Sequence, residues 1–175
     1  MQRSELAHVL RASSAIANET CFILIGSQAV LLLLDEPPAD LLRSTEIDLY
    51  PSLHPEKADL IDGAIGALST FHDTFGYHAD GVAPETASLP HDWMNRAVFS
   101  YFGDVTAICP DLHDLAVSKC AAGREKDADY IRILLQHKLV NLETLIERIE
   151  LLDAVKNNLT LISQWTQRRA QEATA

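Results

Sequence analysis

Apolar residues recur at helical spacing at both ends of the chain. Near the N-terminus this spacing predicts a helix over residues 4–18, with Ser4 as its N-cap. From residue 111 onward the pattern is helical again and predicts four helices, over residues 111–122, 126–137, 141–152 and 154–169. Residues 170–175 are predicted to form a loose tail.

The middle of the chain shows the shorter period that is typical of strands. Residues 21–25 form a short apolar run, and residues 45–50 alternate polar and apolar side chains before Pro51. Further strands are predicted over residues 75–82 and 97–108. Helices are predicted after each of the first two strands, over 27–34 and from Pro55 toward Leu68, with a loop over residues 35–44 between the first helix and the second strand.

Strands interspersed with helices, and then helices alone, favour an α+β fold. We expect a small mixed β-sheet of four to five strands with flanking helices over residues 1–110. Residues 111–175 are expected to form a helical C-terminal lobe packed on this core as one compact unit. A chain of 175 residues that is 47% hydrophobic can build a core of this size.

Composition excludes several classes of protein. The formal net charge of −11 argues against broad, sequence-independent nucleic-acid binding, which depends on basic groups that neutralise phosphates. The longest apolar run is too short to span a membrane, and the N-terminus lacks the pattern of a signal peptide, so we expect a cytoplasmic protein with no membrane partner. Three dispersed cysteines and histidines without zinc-ligand spacing predict neither a disulfide framework nor a zinc site.

Candidate chemistry lies where the first strand ends and along the second. Gly26-Ser27 would close the first strand and open a helix whose free N–H groups favour phosphate. Glu46 and Asp48 are two positions apart, which on a strand directs both to one face with roughly 6.6 Å between their Cα atoms. Two such carboxylates can bind Mg²⁺ that bridges triphosphate oxygens. The alternatives are an ordinary strand-to-helix turn and the polar side of a half-exposed strand.

Gly26-Ser27 followed by Arg43-Ser44-Thr45-Glu46-Ile47-Asp48-Leu49 resembles the glycine-serine and acid-hydrophobic-acid signature of the nucleotidyltransferase superfamily. The segments 109–119 and 122–127 are similar to the helical region of minimal bacterial nucleotidyltransferase-like proteins related to AbiE-type toxins of toxin–antitoxin systems. Together the likeness covers roughly residues 20 to 140. It implies that Glu46 and Asp48 bind metal, although the family more often has Asp at the first of these positions.

A third carboxylate from a neighbouring strand commonly completes such a site and acts as general base. Asp80, before Gly81, is our candidate, with Asp73 and Asp104 as competitors and a turn-forming Asp-Gly pair as the alternative. Basic side chains could contact the triphosphate. The candidates are Arg43, Lys119 and Lys126. The two lysines would lie on one side of a helix if that helix continued through Gly123. Asp127 could hold a Lys or Arg side chain in place. Ordinary charge pairing on solvated helices is the alternative for this group.

Two functions of different kinds follow from these residues. One is a Mg²⁺-dependent nucleotidyltransferase that uses a nucleoside triphosphate and an RNA or protein hydroxyl, for which the resemblance implies the role of a toxin in a toxin–antitoxin pair with a cognate antitoxin partner. The other is a catalytically inactive nucleotide-binding or protein-interaction module, including an antitoxin-like component whose acidic surface binds a basic protein. Convergence of Glu46, Asp48 and a third carboxylate beside Gly26-Ser27 would favour the enzyme.

Overall fold

Five strands form a single mixed sheet in the computed structural model, which describes residues 1–174. The strand order is β3-β2-β1-β5-β4. Strand β1 runs parallel to β5 and β2 runs parallel to β3, whereas β1 pairs with β2 and β4 pairs with β5 in antiparallel fashion. The strands are β1 (Cys21–Leu24), β2 (Glu46–Pro51), β3 (His78–Gly81), β4 (Val98–Phe102) and β5 (Val105–Cys109).

Eight α-helices accompany the sheet within residues 1–174, which confirms the predicted α+β class. Four precede β4 and four follow β5. They are α1 (Arg3–Ala17), α2 (Val30–Leu33), α3 (Ala58–Ile65), α4 (Thr70–Phe75), α5 (Leu112–Ala122), α6 (Glu125–Gln136), α7 (Leu142–Ile149) and α8 (Leu159–Thr174). None of these helices is both long and apolar enough to cross a membrane.

The chain divides into two compact units. The first comprises Met1–Thr86 and Val98–Cys109, and the second comprises Ala87–Ala97 and the residues from Pro110 onward. The first unit therefore holds the whole sheet with helices α1 to α4, and the second holds α5 to α8. The expected boundary at residue 110, with one lobe packed on the other, stays a prediction.

Helices α1 and α3 contact each other and the sheet, and they cover its apolar face. Leu6, Val9 and Leu10 of α1 are fully buried, as the helical spacing predicted. The predicted cap at Ser4 is wrong, because Gln2 is the N-cap and forms a capping box with Glu5. The helix begins before Ser4 since Gln2 and Glu5 satisfy the first backbone N–H groups between them.

Three predicted elements differ from what the pattern indicated. The helix expected over residues 27–34 is a 3-10 turn, Ser27–Ala29, followed by the four-residue α2. The strand expected over 75–82 begins only at His78, because α4 occupies the preceding residues and ends at Gly76 in the left-handed region. The strand expected over 97–108 is the hairpin β4–β5, which turns at Gly103 with φ of 66°.

The second unit is a helical assembly in which α6 and α7 each contact both α5 and α8. Its core contains fully buried apolar side chains from three of these helices: Leu115, Ile131, Leu134, Leu145 and Ile149. Helix α8 continues to Thr174, so the loose tail predicted for residues 170–174 is wrong, and Ala175 lies outside the described residues. The helix persists because Glu172 pairs with Arg132 of α6 and with Arg169.

Asp114 is a buried charge within this second unit. Its side chain is 0% exposed, and its Oδ2 accepts a hydrogen bond of 2.9 Å from Arg96 Nε. The same guanidinium donates to both carboxylate oxygens of Asp92, at 2.7 and 2.8 Å, but Asp92 is partly exposed. One arginine therefore joins a buried carboxylate to a solvated one.

Replacing Gly81 by Ala is expected to destabilise the first unit. A Cβ atom there would lie 2.0 Å from the carbonyl oxygen of Ala58, a backbone atom of α3 that cannot swing aside. The cost of such overpacking is about 1–3 kcal/mol in the free energy of unfolding, measured by urea denaturation. The matched control is Gly63→Ala within α3, where a Cβ meets nothing within 4 Å and the change should be neutral or stabilising.

Asp114→Ala should lower the free energy of unfolding by about 1–3 kcal/mol, because it removes the buried hydrogen-bond acceptor of Arg96 and leaves the guanidinium with its partly exposed partner Asp92. Asp92→Ala removes hydrogen bonds to the same guanidinium from a solvated position and should cost much less. Equal losses in the two variants, measured by chemical denaturation, would contradict the importance of burial here.

Candidate functional site

Four polar side chains share one face of the sheet where β2 lies beside β3. The two strands are parallel, with Glu46 opposite His78 and Asp48 opposite Asp80. Because side chains alternate along a strand, Ile47 and the opposing Ala79 face the other side, where they are buried beneath α1 and α3. The register therefore brings the predicted carboxylates Glu46, Asp48 and Asp80 to one surface.

Three of these four residues form a cluster that could hold a metal ion. Ligand atoms of Glu46, His78 and Asp80 all lie within 4.8 Å of one another. His78 Nε2 lies 3.2 Å from Asp80 Oδ1. Two carboxylates and an imidazole fit a divalent cation, since each offers a lone pair toward a common centre. All three of these residues belong to the first unit.

Asp80 sits in an environment that disfavours its ionised form. Burial raises the pKa of its carboxyl, and the charges of Glu46 and Asp62 raise it further. The neighbouring imidazoles of His78 and His72 act in the opposite direction without cancelling the rise. A cation in the cluster would offset the repulsion between Asp80 and Glu46.

His78 is held in place by a helix that sequence reasoning did not predict. Its side chain is only 8% exposed, and its ring centroid lies 4.3 Å from that of His72 in α4. The Nδ1 atom of His72 accepts a hydrogen bond from the backbone N–H of Leu68, and Ser69 caps the helix. These contacts fix the second ring against the first.

Gly26 lies directly against Asp48. The backbone N–H of Ile25 donates to the carbonyl oxygen of Asp48 at 3.1 Å, which places the end of β1 beside the acidic strand. A Cβ atom at position 26 would lie 1.9 Å from Asp48 Oδ2 and 2.9 Å from Asp48 Cβ. The backbone of Gly26 is extended, with φ of −82°, so glycine is required here for space rather than for conformation.

Ser27 follows at the start of a very short helical segment. The 3-10 turn Ser27–Ala29 and the four residues of α2 replace the longer helix whose N-terminus was expected to bind phosphate. Gly26 is the N-cap of this turn, and its carbonyl accepts from the N–H of Ala29. Phosphate binding by Gly26 and Ser27 consequently stays a prediction that rests on their position beside Asp48.

The basic candidates are spread over both units. Arg43 lies in the first unit, is exposed and pairs with Asp40. Lys119 lies in α5, is mostly buried and has its ammonium 6.0 Å from the ring centroid of Tyr130. The exposed Lys126 lies in α6. Gly123 ends α5 in the left-handed conformation, so the condition under which both lysines would share one side of a continuous helix is not met.

Arg124 is held by Asp127, whose Oδ2 accepts a hydrogen bond of 2.7 Å from the arginine Nε. The same carboxylate oxygen accepts from the backbone N–H of Arg124, which forms a cap for α6. Asp127 therefore holds the side chain of Arg124 through a local contact at the start of α6. A role for either residue toward phosphate stays a prediction.

His78 is the residue that sequence reasoning missed. The histidines were expected to fill scattered polar roles, because none shows the spacing of a helical zinc motif. The signal was the triplet His78-Ala79-Asp80, which repeats the spacing of Glu46-Ile47-Asp48 on a second strand. Asp73 and Asp104, the competitors of Asp80, lie instead in α4 and in the β4–β5 turn.

One protein family matches most of the chain. Its model covers residues 4–171, and the family is described as a nucleotidyltransferase of unknown function (DUF6036). No curated protein and no solved structure gives a significant match. The matched region includes every candidate residue above. It supports the predicted relationship to the nucleotidyltransferase superfamily, and the narrower relationship to AbiE-type toxins stays a prediction.

Gly26→Ala is expected to displace the Asp48 carboxylate and weaken binding of a nucleoside triphosphate with its divalent ion by about tenfold or more, a loss typical of disturbing the support of a metal site. The measurement is isothermal titration with each nucleoside triphosphate and Mg²⁺. Gly63→Ala serves as control, since its added methyl lies on the exposed side of α3. Unchanged binding in Gly26→Ala would show that the position of Asp48 beside Gly26 is not needed.

Proposed function

The chain belongs to the nucleotidyltransferase family of unknown function that matches residues 4–171, and from this membership we propose that it transfers a nucleotide from a nucleoside triphosphate to an RNA or protein hydroxyl with Mg²⁺. The observation that carries this proposal is the shared face of β2 and β3. It combines Glu46, Asp48 and Asp80 beside the glycine that ends β1. An oxygen-rich, partly exposed face of this kind suits triphosphate bound through divalent ions.

Each residue has a stated role in this proposal. Glu46 and Asp48 hold Mg²⁺, which when bound offsets the negative charge of the triphosphate and of the leaving pyrophosphate. Gly26 and Ser27 contact phosphate oxygens through the backbone and the hydroxyl. The side chain of Arg43, which belongs to the same unit, supplies further positive charge to the nucleotide.

Asp80 acts as general base in the transfer step. The acceptor hydroxyl oxygen forms a bond to the α-phosphorus as the bond from that phosphorus to the bridging oxygen breaks, and pyrophosphate leaves. The hydroxyl proton passes to the carboxylate of Asp80. Burial and neighbouring negative charge raise the pKa of this carboxyl, which makes its ionised form a stronger base than an exposed aspartate.

We extend the proposal to a biological setting. The likeness of segments 109–119 and 122–127 to proteins related to AbiE-type toxins supports a toxin that is neutralised by a cognate antitoxin protein. A cytoplasmic location accords with the need for nucleoside triphosphate. The three cysteines, at positions 21, 109 and 120, form no disulfide within the described chain, which accords with a reducing compartment.

Two observations favour a second candidate, a catalytically inactive nucleotide-binding or protein-interaction module. Glu46 stands where the family more often has Asp, and its side chain is one methylene longer. The phosphate-facing segment is a single 3-10 turn rather than a full helix. A protein that binds triphosphate with Mg²⁺ but transfers nothing would match this second candidate.

Incubation with Mg²⁺, each α-labelled nucleoside triphosphate and either cellular RNA or protein extract is expected to label an acceptor. Asp48→Asn keeps the size of the side chain but removes a metal-binding charge, and it should lower the transfer rate about 100-fold or more, as loss of several kcal/mol of transition-state stabilisation implies. Asp59→Asn makes the same chemical change on the exposed surface of α3 and should retain full activity.

The pattern of labelling identifies both the base and the class of acceptor. Equal labelling by the wild type and by Asp48→Asn would show that another protein in the preparation transfers the nucleotide. Binding of triphosphate without any labelling would replace the enzyme with the nucleotide-binding module.

A further inference from the structure

His78 joins two strand carboxylates in the cluster described above, and this composition bears on which ion the site selects. Mg²⁺ prefers oxygen ligands and water, whereas imidazole suits the first-row transition metals. Of the three residues whose ligand atoms lie within 4.8 Å, one provides nitrogen. The cluster is therefore not the all-oxygen set from which Mg²⁺ was predicted.

We propose that Glu46, His78 and Asp80 together bind a first-row transition-metal ion in the range Mn²⁺ to Zn²⁺, with His78 as the ligand that favours such an ion over Mg²⁺. Where this ion is also the one that bridges the triphosphate, the inference rests on the proposed function and refines its cofactor.

The separation between His78 and Asp80 fits two neighbouring ligands of one ion. Metal–ligand bonds of about 2.1 Å at a right angle place the two ligand atoms about 3 Å apart. The distance from His78 Nε2 to Asp80 Oδ1 is 3.2 Å. An ion can therefore take the place of the direct contact between these atoms with little movement of either side chain.

The burial of His78 provides an independent observation. Its side chain is more than nine-tenths buried, and the ring nitrogen that faces Asp80 is Nε2, 3.2 Å from Asp80 Oδ1. Nε2 is therefore the atom that would bind an ion, and burial of the ring limits how far it can turn away from the two carboxylates. His72, stacked on its ring, restricts the orientations that the imidazole can adopt.

The cluster also differs from acidic residues that merely lie near one another on an exposed surface. Glu46 and Asp80 come from neighbouring strands of fixed register, so that backbone hydrogen bonds hold their separation. A cation held between the two carboxylates would offset their mutual repulsion, and His78 would supply the third ligand.

The test is binding of Mn²⁺ and Mg²⁺ to full-length, tag-free, chelator-treated protein, with no nucleotide present. Isothermal titration should show Mn²⁺ bound at least about tenfold more tightly than Mg²⁺. His78→Asn should weaken Mn²⁺ binding by about tenfold or more and Mg²⁺ binding far less, so the preference should fall. His54→Asn is the matched control, because His54 is exposed in the same unit and pairs only with the neighbouring Glu56 among its described contacts.

A spectroscopic measurement keeps the inference falsifiable even where His78→Asn fails to fold. Pulsed electron paramagnetic resonance of the wild type with Mn²⁺ should show coupling to a ¹⁴N nucleus, as expected for a directly bound imidazole. Absence of this coupling, or equal loss of Mn²⁺ and Mg²⁺ binding in His78→Asn, overturns the inference.

These outcomes are separable from the fate of the proposed transferase activity. Nucleotide transfer that proceeds with Mg²⁺, together with Mn²⁺ that shows no nitrogen coupling, would support the function and refute the histidine-containing site. Nitrogen coupling without any transfer would support the metal site and refute the enzyme.

Discussion

The parallel pairing of β2 with β3 is the constraint on which the candidate site depends. Its register sets Glu46 against His78 and Asp48 against Asp80, and the backbone hydrogen bonds of the two strands maintain those pairs. A slip of one residue in β3 would turn its two polar side chains toward α1 and α3 and would bring Ala79 to the polar face. Burial of Ile47 and Ala79 on the apolar face opposes that slip, so the core itself holds the polar face in register.

The pairing of these strands could be predicted only in part from sequence. Strands β1 and β2 were predicted because one is a short apolar run and the other alternates strictly, which are local signals. That β3 would lie beside β2, and in parallel, is a matter of long-range topology. The expectation that Asp80 completes the site came from likeness to a family, and the structure brings it into one cluster with Glu46. The roles assigned to these residues stay predictions.

The errors have physical reasons of a similar kind. Residues 97–108 are mostly apolar and β-prone on both sides of Gly103-Asp104, and this two-residue turn is too short to interrupt the pattern. Helix α4 escaped prediction because it has only six residues, and its rings Phe71 and Phe75 contact each other and His8 of α1 without forming a longer apolar stripe. His78 was overlooked since its ligand-like setting exists only once the register and His72 are in place.

The position of β3 at one end of the strand order has a consequence for how the site behaves in time. This strand has four residues and exchanges ladder hydrogen bonds with β2 alone. Edge strands of this kind open more readily than central ones, while the rest of a sheet stays formed. Two of the three clustered ligands belong to this strand and the third belongs to β2, so an ion bound there would hold β3 to β2. Fraying of β3 would then release the ion, and removal of the ion would let β3 fray more readily.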